Sequence, residues 1–401
     1  MALPFGSAST DEFGNIINII WLGLFVVMFL FNQRIMIMQI LMKSEQFAQQ
    51  LEQMTEKGKK HVLKKLSKNP DKKLRDSVNN FLEFFVIEPV GLDPYGIVKK
   101  IEHLSNLSES RFKYYIDRTA PKLSDEEKAN AVMGLAGAIS LHQLSKIVRH
   151  FVELIRKTKS LQYAIILQMQ LPLIERVAKA LLDGTEALSN GWPIGDAAGP
   201  LVAAEMIGTS PTRRFDEETL IAKKRIKDRT VFLVKAIGPG GRLGKLGKCV
   251  EHIVSTNKIA KIITIDAAAK LEGEKTGSTA EGVGVAIGGI GVDRSYIEKI
   301  AVEKNLPLDS IIIKMSQEEA IQPIKREITL AVSKAIELVE ANIGDTKEKG
   351  AIVVVGVGNT EGVGNNKKAA DDSRMLAKKV LQIVESRKKE EKKSFWQRIG
   401  M

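Results

Sequence analysis

Two aspartates in glycine-framed turns are the residues of this chain best suited to chemistry. Asp196 lies in Trp192-Pro193-Ile194-Gly195-Asp196-Ala197-Ala198-Gly199-Pro200, and Asp266 ends the run Ile262-Ile263-Thr264-Ile265. A β-branched run of that kind reads as a buried strand. Asp266 then stands at the carboxyl edge of a sheet, where open α/β folds bind ligands. Asp196 sits in a loop that leads straight into a helix. Facing one crevice, two carboxylates can share a water or a divalent metal ion. Close approach raises one pKa, so one acid keeps a proton while the other acts as base. Glu272, Glu274 and Glu281 are further candidate ligands or bases, and Lys275, Arg242 and Asn359 are candidates for holding an oxyanion or a substrate carboxylate. Each aspartate also has a bland role: Asp196 as a helix cap, Asp266 as an acceptor for backbone groups.

A second candidate site is Ile237-Gly238-Pro239-Gly240-Gly241-Arg242-Leu243-Gly244-Lys245, which follows an apolar run and opens a helix. Gly238, Gly240 and Gly241 would let backbone N–H groups face an anion, with Arg242 and Lys245 adding charge. The loop lacks the Walker A ending and is not a dinucleotide fingerprint. A tight strand-to-helix turn accounts for it equally well. Segments 271–294 and 356–366 are also glycine-rich and follow strand-like runs. Three such loops at one sheet edge exceed what connection alone requires. Residues Val283 to Ile290 fit either loop or a short strand.

The elements that must position these loops are readable in the same region. Strands are expected over 230–236, 261–266, 310–315 and 351–357, and helices over 246–256, 295–304, 318–341 and 371–387. Near-continuous apolar strands separated by helices imply a mostly parallel sheet covered on both faces. Residues 94–190 read as helices. Ser124 caps one whose first turn holds Asp125, Glu126 and Glu127. The apolar stretch from Leu161 to Leu182 is broken by glutamines and Pro172, so it reads as a kinked buried helix rather than a membrane span. His142 and His150 have no partner at ligand spacing and read as structural. From Arg34 to Lys68, Ile40, Phe47, Leu51 and Met54 recur at helical spacing. That pattern fits a coiled-coil stalk, a route to self-association, and equally a single amphipathic helix lying on the body. Asn69-Pro70-Asp71 breaks it, and a helix over 74–87 is stopped by Pro89, Gly91 and Pro94.

Residues Ile16 to Phe31 carry no charge and are apolar apart from Asn18. A membrane-crossing helix over about residues 13–32 is therefore expected. Asp11 and Glu12 precede it, whereas Arg34, Lys43, Lys57, Lys59 and Lys60 follow. The positive-inside rule places the N-terminus outside and the body in the cytoplasm. A cleaved signal peptide would need a basic n-region and a small-residue cleavage site, and neither is present. The chain has one cysteine, Cys249, which excludes internal disulfides and a cysteine-rich metal site. The net charge of +12 is concentrated beside the membrane and at the C-terminus. Such basic stretches favour anionic lipid. Nucleic acid ranks lower, because aromatic residues are few and no recognition motif is present. The expected organisation is an extracytoplasmic tail (1–12), a transmembrane helix (13–32), a basic helical stalk (33–93), a helical domain (94–190), an α/β domain (191–388) and a basic tail (389–401).

The whole chain resembles an archaeal family of single-pass membrane proteins of undefined function. The α/β part has a more distant resemblance. Gly195-Asp196-Ala197-Ala198-Gly199-Pro200-Leu201-Val202 is similar to the acid-containing loop of bacterial spore germination proteases. Ala236-Ile237-Gly238-Pro239-Gly240 and Ile263-Thr264-Ile265-Asp266-Ala267 are similar to their next two strand ends, in the same order. Gly282 to Gly291 resembles their later glycine-rich loop. The resemblance implies a three-layer hydrolase-like fold in which Asp196 and Asp266 are catalytic. Hydrogenase-maturation endopeptidases share that fold and bind nickel through related acids and a histidine, but no histidine follows Asp266 here. In the germination proteases a strand ending Gly-x-Gly-Asn comes just before the first acid. Here Gly356-Val357-Gly358-Asn359 comes last, which implies circular permutation. The expected protein is a membrane-anchored, peptidase-like hydrolase. The alternatives are a nucleotide- or anion-binding module and a tethered scaffold. Proteolytic shaving of intact cells is expected to leave the body uncleaved, and external digestion of the α/β domain would reject the topology.

Overall fold

Amphipathic periodicity builds the first half of the chain. In the computed structural model, which describes residues 12–87, 89, 96–288 and 291–399, five helices come first. They are α1 (Glu12–Leu66), α2 (Lys72–Phe81), α3 (Ile97–Thr119), α4 (Asp125–Thr158) and α5 (Leu161–Asn190). The expected extracytoplasmic tail, Gly91 and Pro94 lie outside the described residues. The chain divides into two units: one formed by residues 1–53 and 143–175, the other by 54–142 and 176–401.

In the first unit α1 buries Ile37, Ile40, Ser44, Phe47, Ala48 and Leu51, a seam with steps of three, four and one. The seam is covered within the chain. Buried Val148, Val152 and Ile155 come from α4, and Ala164 and Leu167 from α5. Arg149 pairs with Glu45 and Glu52, and Arg156 with Glu45, which locks α4 antiparallel to α1. On the preceding stretch of α1, Ile20, Trp21, Leu22, Leu24, Phe25 and Val26 are exposed. The other side chains of the expected span are partly outside the described residues. Among the described residues one helix, α4, is long and apolar enough to cross a membrane by length and composition, but 44% of its most apolar window is buried. That burial fits a core helix.

In the second unit Val62, Leu63 and Leu66 of α1 join Val78, Phe112, Ile116, Leu135 and Ile139 in one helical cluster. The α/β part follows. A 3-10 turn (Gly195–Ala197) leads into α6 (Ala198–Ile207), then β1 (Thr212–Arg214), β2 (Thr219–Ile226), β3 (Arg229–Ala236), α7 (Leu246–Thr256), β4 (Ile259–Ala269), β5 (Thr279–Val283), α8 (Val292–Glu303), β6 (Leu308–Met315), α9 (Gln317–Ile321), α10 (Arg326–Asp345), β7 (Ala351–Gly356) and α11 (Lys367–Ile399). The seven strands form one sheet in the order β1-β2-β3-β7-β4-β6-β5.

The sheet is mixed, which corrects the expectation of a mostly parallel one. β3, β7, β4 and β6 are parallel, while β1, β2 and β5 pair antiparallel at the two edges. β2 contains Lys223, Lys224 and Arg225, which hide its apolar pattern. β5 emerges from the glycine-rich segment, earlier than Val283. The helix expected over 318–341 breaks after Ile321, because Pro323 cannot donate to a helix. Pro323 pairs instead with Ile194, and Ile324 N–H donates to the Pro193 carbonyl at 2.8 Å. α11 runs on through the basic C-terminal segment to Ile399.

One sheet face packs Val231, Leu233, Ile263, Ile265 and Val354 against α6, α10 and α11; the other packs Phe232, Val234, Ile262, Val353 and Val355 against α7 and α8. α6 approaches so closely that a side chain on Gly199 would collide with the Val357 and Ile265 carbonyl oxygens. Because the obstacles are backbone, Gly199→Ala is expected to cost about 3 kcal/mol. Gly282, with open space around its Cα, is expected to accept Ala within about 0.5 kcal/mol. Thermal unfolding of the two variants checks the contrast.

Candidate functional site

β3 feeds α7 on one face of the sheet while β7 feeds α11 on the other. Loops that leave in opposite directions open a crevice at the carboxyl edge. The crevice reaches β4 because β7 stops early. Gly356, its last residue, pairs with Ile265, so beyond that point β4 is held by β6 alone. Asp266 is the first residue past the end of β7. It is 3% exposed. One of its carboxylate oxygens accepts from its neighbour Ala267 N–H at 2.6 Å, the other from Gly288 N–H at 3.0 Å.

Asp196 arrives on the 3-10 turn before α6. The turn is held from behind, where Gly195 N–H donates to the Gln322 carbonyl at 3.1 Å. In front, Asn359 N–H donates to Asp196 Oδ2 at 2.8 Å. Gly358 makes that approach possible: its φ of +126° and the Asp196 carbonyl pressed against its Cα leave no room for a side chain.

Asp196 and Asp266 line the same cavity, of about 310 Å³. Among the described residues neither carboxylate has an ion-pair partner. Burial, reinforced by the charge of Asp196, pushes the Asp266 pKa up to about 7, against the pull of its two N–H donors. Burial likewise raises Asp196, opposed by the Asn359 N–H. Both carboxylates are thus shifted towards the protonated form, and the charge of each disfavours ionisation of the other. The rim is different in part, because Glu102 and Glu218 are matched by lysines while Asp293 has only a backbone donor. Glu102 of α3 pairs with Lys248 and accepts from Tyr296 Oη at 2.8 Å. Glu218 pairs with Lys113 at 2.6 Å, and Asp293 accepts from Gly247 N–H at 2.6 Å. Among the described residues, the acids of the cavity without an ion-pair partner are therefore Asp196, Asp266 and Asp293. A more open depression of about 480 Å³ lies at the opposite edge, lined by Lys223, Arg229, Lys258 and Lys349, with only Asp228 to oppose them.

The remaining candidates are scattered. Lys245 lines the cavity, as do Gly288 and Gly358. The 238–245 loop, however, has its amides engaged. Gly238 N–H donates to Asn365 Oδ1, Gly241 N–H to Asn130 Oδ1, Arg242 N–H to Thr360 Oγ1 and Lys245 N–H to Thr219 Oγ1. The Arg242 guanidinium turns back to the carbonyls of Ile237 and Asp125. Gly240, Lys275, Glu272, Glu274 and Glu281 do not line the cavity; Glu274 pairs with Lys314, and Glu281 accepts from Asn342. Asn359 contributes its backbone N–H, while its side-chain oxygen accepts from Glu361 N–H at 2.9 Å. Among the described residues no group of three or more His, Cys, Asp or Glu is placed to hold a metal ion. A divalent ion at the pair would have two protein carboxylates as its ligands.

Sequence reasoning passed over the α3 wall, since nothing near residue 100 marks it as close to residue 266. It also passed over two buried charges beside the cavity loops. Lys235 is fully buried at the end of β3, and burial lowers its pKa to about 7. Its ammonium nitrogen donates to Ala236 O and Asn365 Oδ1, holding the loop that follows. Glu361 is also fully buried, and burial holds its pKa well above the usual range. A lone charge closing an apolar strand was the signal available for Lys235.

These observations define an α/β domain with a cation-free carboxylate pair at the carboxyl edge of a mixed sheet. The chain belongs to the DUF1512 family. Residues 18–191 match the protein of unknown function (DUF1512) N-terminal domain, and residues 194–364 match the domain of unknown function (DUF1512) C-terminal. No curated protein and no solved structure matches the chain.

A folded-state pKa above the unfolded value means the native state binds the proton more tightly. Stability therefore falls as pH rises from about 4 to about 7 and then levels off. Asn mimics the protonated acid. Asp266→Asn is expected to match the wild type near pH 4 and to exceed it by about 2–4 kcal/mol at pH 8, as read from denaturant midpoints at the two pH values.

Proposed function

We propose that the α/β domain is a peptidase-like hydrolase acting through Asp196 and Asp266, and that α1 tethers it to the cytoplasmic face of a membrane. The observation carrying the proposal is the aspartate pair itself: two carboxylates without a counter-charge, lining one cavity, with Asp266 raised to about 7. Glu102 and Glu218 on the rim are instead matched by Lys248 and Lys113. Asp266, with its pKa near neutrality, is suited to deliver a proton to the leaving group. Asp196 is suited to take one from the attacking water. Lys245 offers the cavity a positive charge for a substrate carbonyl or carboxylate.

The resemblance to germination proteases adds support in space where chain order opposed it. The Gly356–Asn359 segment comes last in the chain but bonds directly to the first acid. The engaged amides of the 238–245 loop weigh against the anion-binding alternative. The exposed apolar residues Ile20 to Val26, followed by a basic stretch, support the membrane tether.

A fluorogenic peptide library, screened with the full-length protein in detergent, tests the reading. Turnover is expected to follow a bell-shaped pH profile, and Asp196→Asn and Asp266→Asn are each expected to lower it about 10²–10⁴-fold. Turnover that survives both substitutions would sink the paired-acid mechanism.

A further inference from the structure

We infer that the turn joining α4 to α5 is a second membrane contact, a cationic tip that rests on anionic lipid headgroups beside the point where α1 leaves the bilayer. This inference rests on the tether proposed above. The first observation is position. Arg149 bonds to Glu52 and Glu45 of α1, and Arg156, two turns further along α4, bonds to Glu45. α4 therefore runs towards the N-terminal end of α1, and its end at Thr158 comes level with about Leu41. From Asn32, where the apolar run stops, to Leu41 is about 14 Å of helix at about 1.5 Å per residue. The polar layer of a leaflet takes up about 5–8 Å of that. The tip is then within about one Debye length, roughly 8 Å, of the headgroups, which long lysine side chains can span.

The second observation is charge. Lys157 and Lys159 are exposed at the tip, and Lys43 is exposed on the adjacent turn of α1. The nearby acids offset only one of them, since three carboxylates face two arginines. Glu45 is held by Arg149 and Arg156, Glu52 by Arg149, and Glu153 by Arg156. Anionic lipid attracts such residues when they lie close to the surface.

The third observation is backbone. Lys159 closes the turn with φ +52°, in the left-handed region. Glycine or asparagine takes that position at a helix end with less strain. A lysine there accepts an unfavourable conformation, and the turn presents its exposed side chain at the tip.

The test uses the full chain in nanodiscs with and without phosphatidylglycerol. A fluorophore is attached at Gln162→Cys, an exposed position just past the tip, or at Leu24→Cys in the tether. Native Cys249 is buried, and burial pushes its thiol pKa up to about 12, so it does not compete for label. Quenching of the Gln162 label by headgroup-labelled lipid is expected to rise severalfold with phosphatidylglycerol. It should fall back in high salt and disappear in the Lys157→Gln/Lys159→Gln variant. If acyl-chain quenchers leave the Leu24 label untouched, the tether itself fails. If Leu24 is quenched but Gln162 ignores lipid charge and salt, the tip inference is overturned while the tether stands. A Gln162 signal that follows protein density rather than lipid charge would also overturn it, in favour of contact between copies.

Discussion

The hydrogen bond from Asn359 N–H to the carboxylate of Asp196 is the contact on which the arrangement of the site depends. It joins a turn entered from the helical half of the chain to the end of the last strand, 163 positions later. The bond forms because two glycines remove the side chains that would block it. Gly358 gives way to the Asp196 carbonyl, and Gly199 lets α6 rest on the ends of β4 and β7. The Pro193–Ile324 and Gly195–Gln322 bonds hold the same turn from behind. With the turn fixed on both sides, Asp196 shares the crevice with Asp266.

That placement has an electrostatic consequence. The protein supplies N–H dipoles to both carboxylates but no cation, although paired Lys248 and Lys113 stand on the rim. Dipoles only partly offset the desolvation of two acids, so both are shifted towards the protonated form and the folded state is less stable at neutral pH than an amide in place of Asp266 would make it. Active sites commonly retain this kind of local instability, because groups poised to exchange protons are poorly satisfied at rest. Buried Glu361 is likewise unsatisfied among the described residues, whereas Lys235 behaves differently. Lys235 is satisfied by Ala236 and Asn365, and that network holds the loop after β3 in place.

The helical half is more than a spacer. α3 supplies one wall of the cavity through Glu102, Ser105, Asn106 and Glu109. Its bonds to Lys248, Tyr296 and Glu218 attach that wall to α7, α8 and the start of β2. The α/β domain alone would leave the crevice open on that side. The two family matches meet at residues 191–194, immediately before the Asp196 turn, so the site draws on both parts.

Local pattern was enough to read much of this. Four strands and the helix over 246–256 are marked by apolar runs and their glycine or polar stops, because a strand covered on both faces must be apolar along its length. Asp266 was legible as an acid late in such a run, but β4 continues past it to Ala269, and it reaches the crevice because β7 stops at Gly356. Other features depend on contacts distant in sequence. β5 forms on one edge of the sheet and β2 beside the short edge strand β1, where lysines and glycines are tolerated once a neighbouring strand offers its hydrogen bonds, so their residues carry no alternating pattern. Pro323 breaks a helix that periodicity would continue, and its bridge to Ile194 becomes part of the support for Asp196. The amides of Gly238, Gly241 and Arg242 look available in sequence, yet Asn365, Asn130 and Thr360 occupy them. The sequence by itself determined where the acids stand within their elements. Only the tertiary structure decided that they meet, that the anion loop is already engaged, and that α3 walls the cavity. The physical reason is that strand order, loop direction and glycine-permitted approach bring together residues whose separation along the chain carries no record of their distance in space.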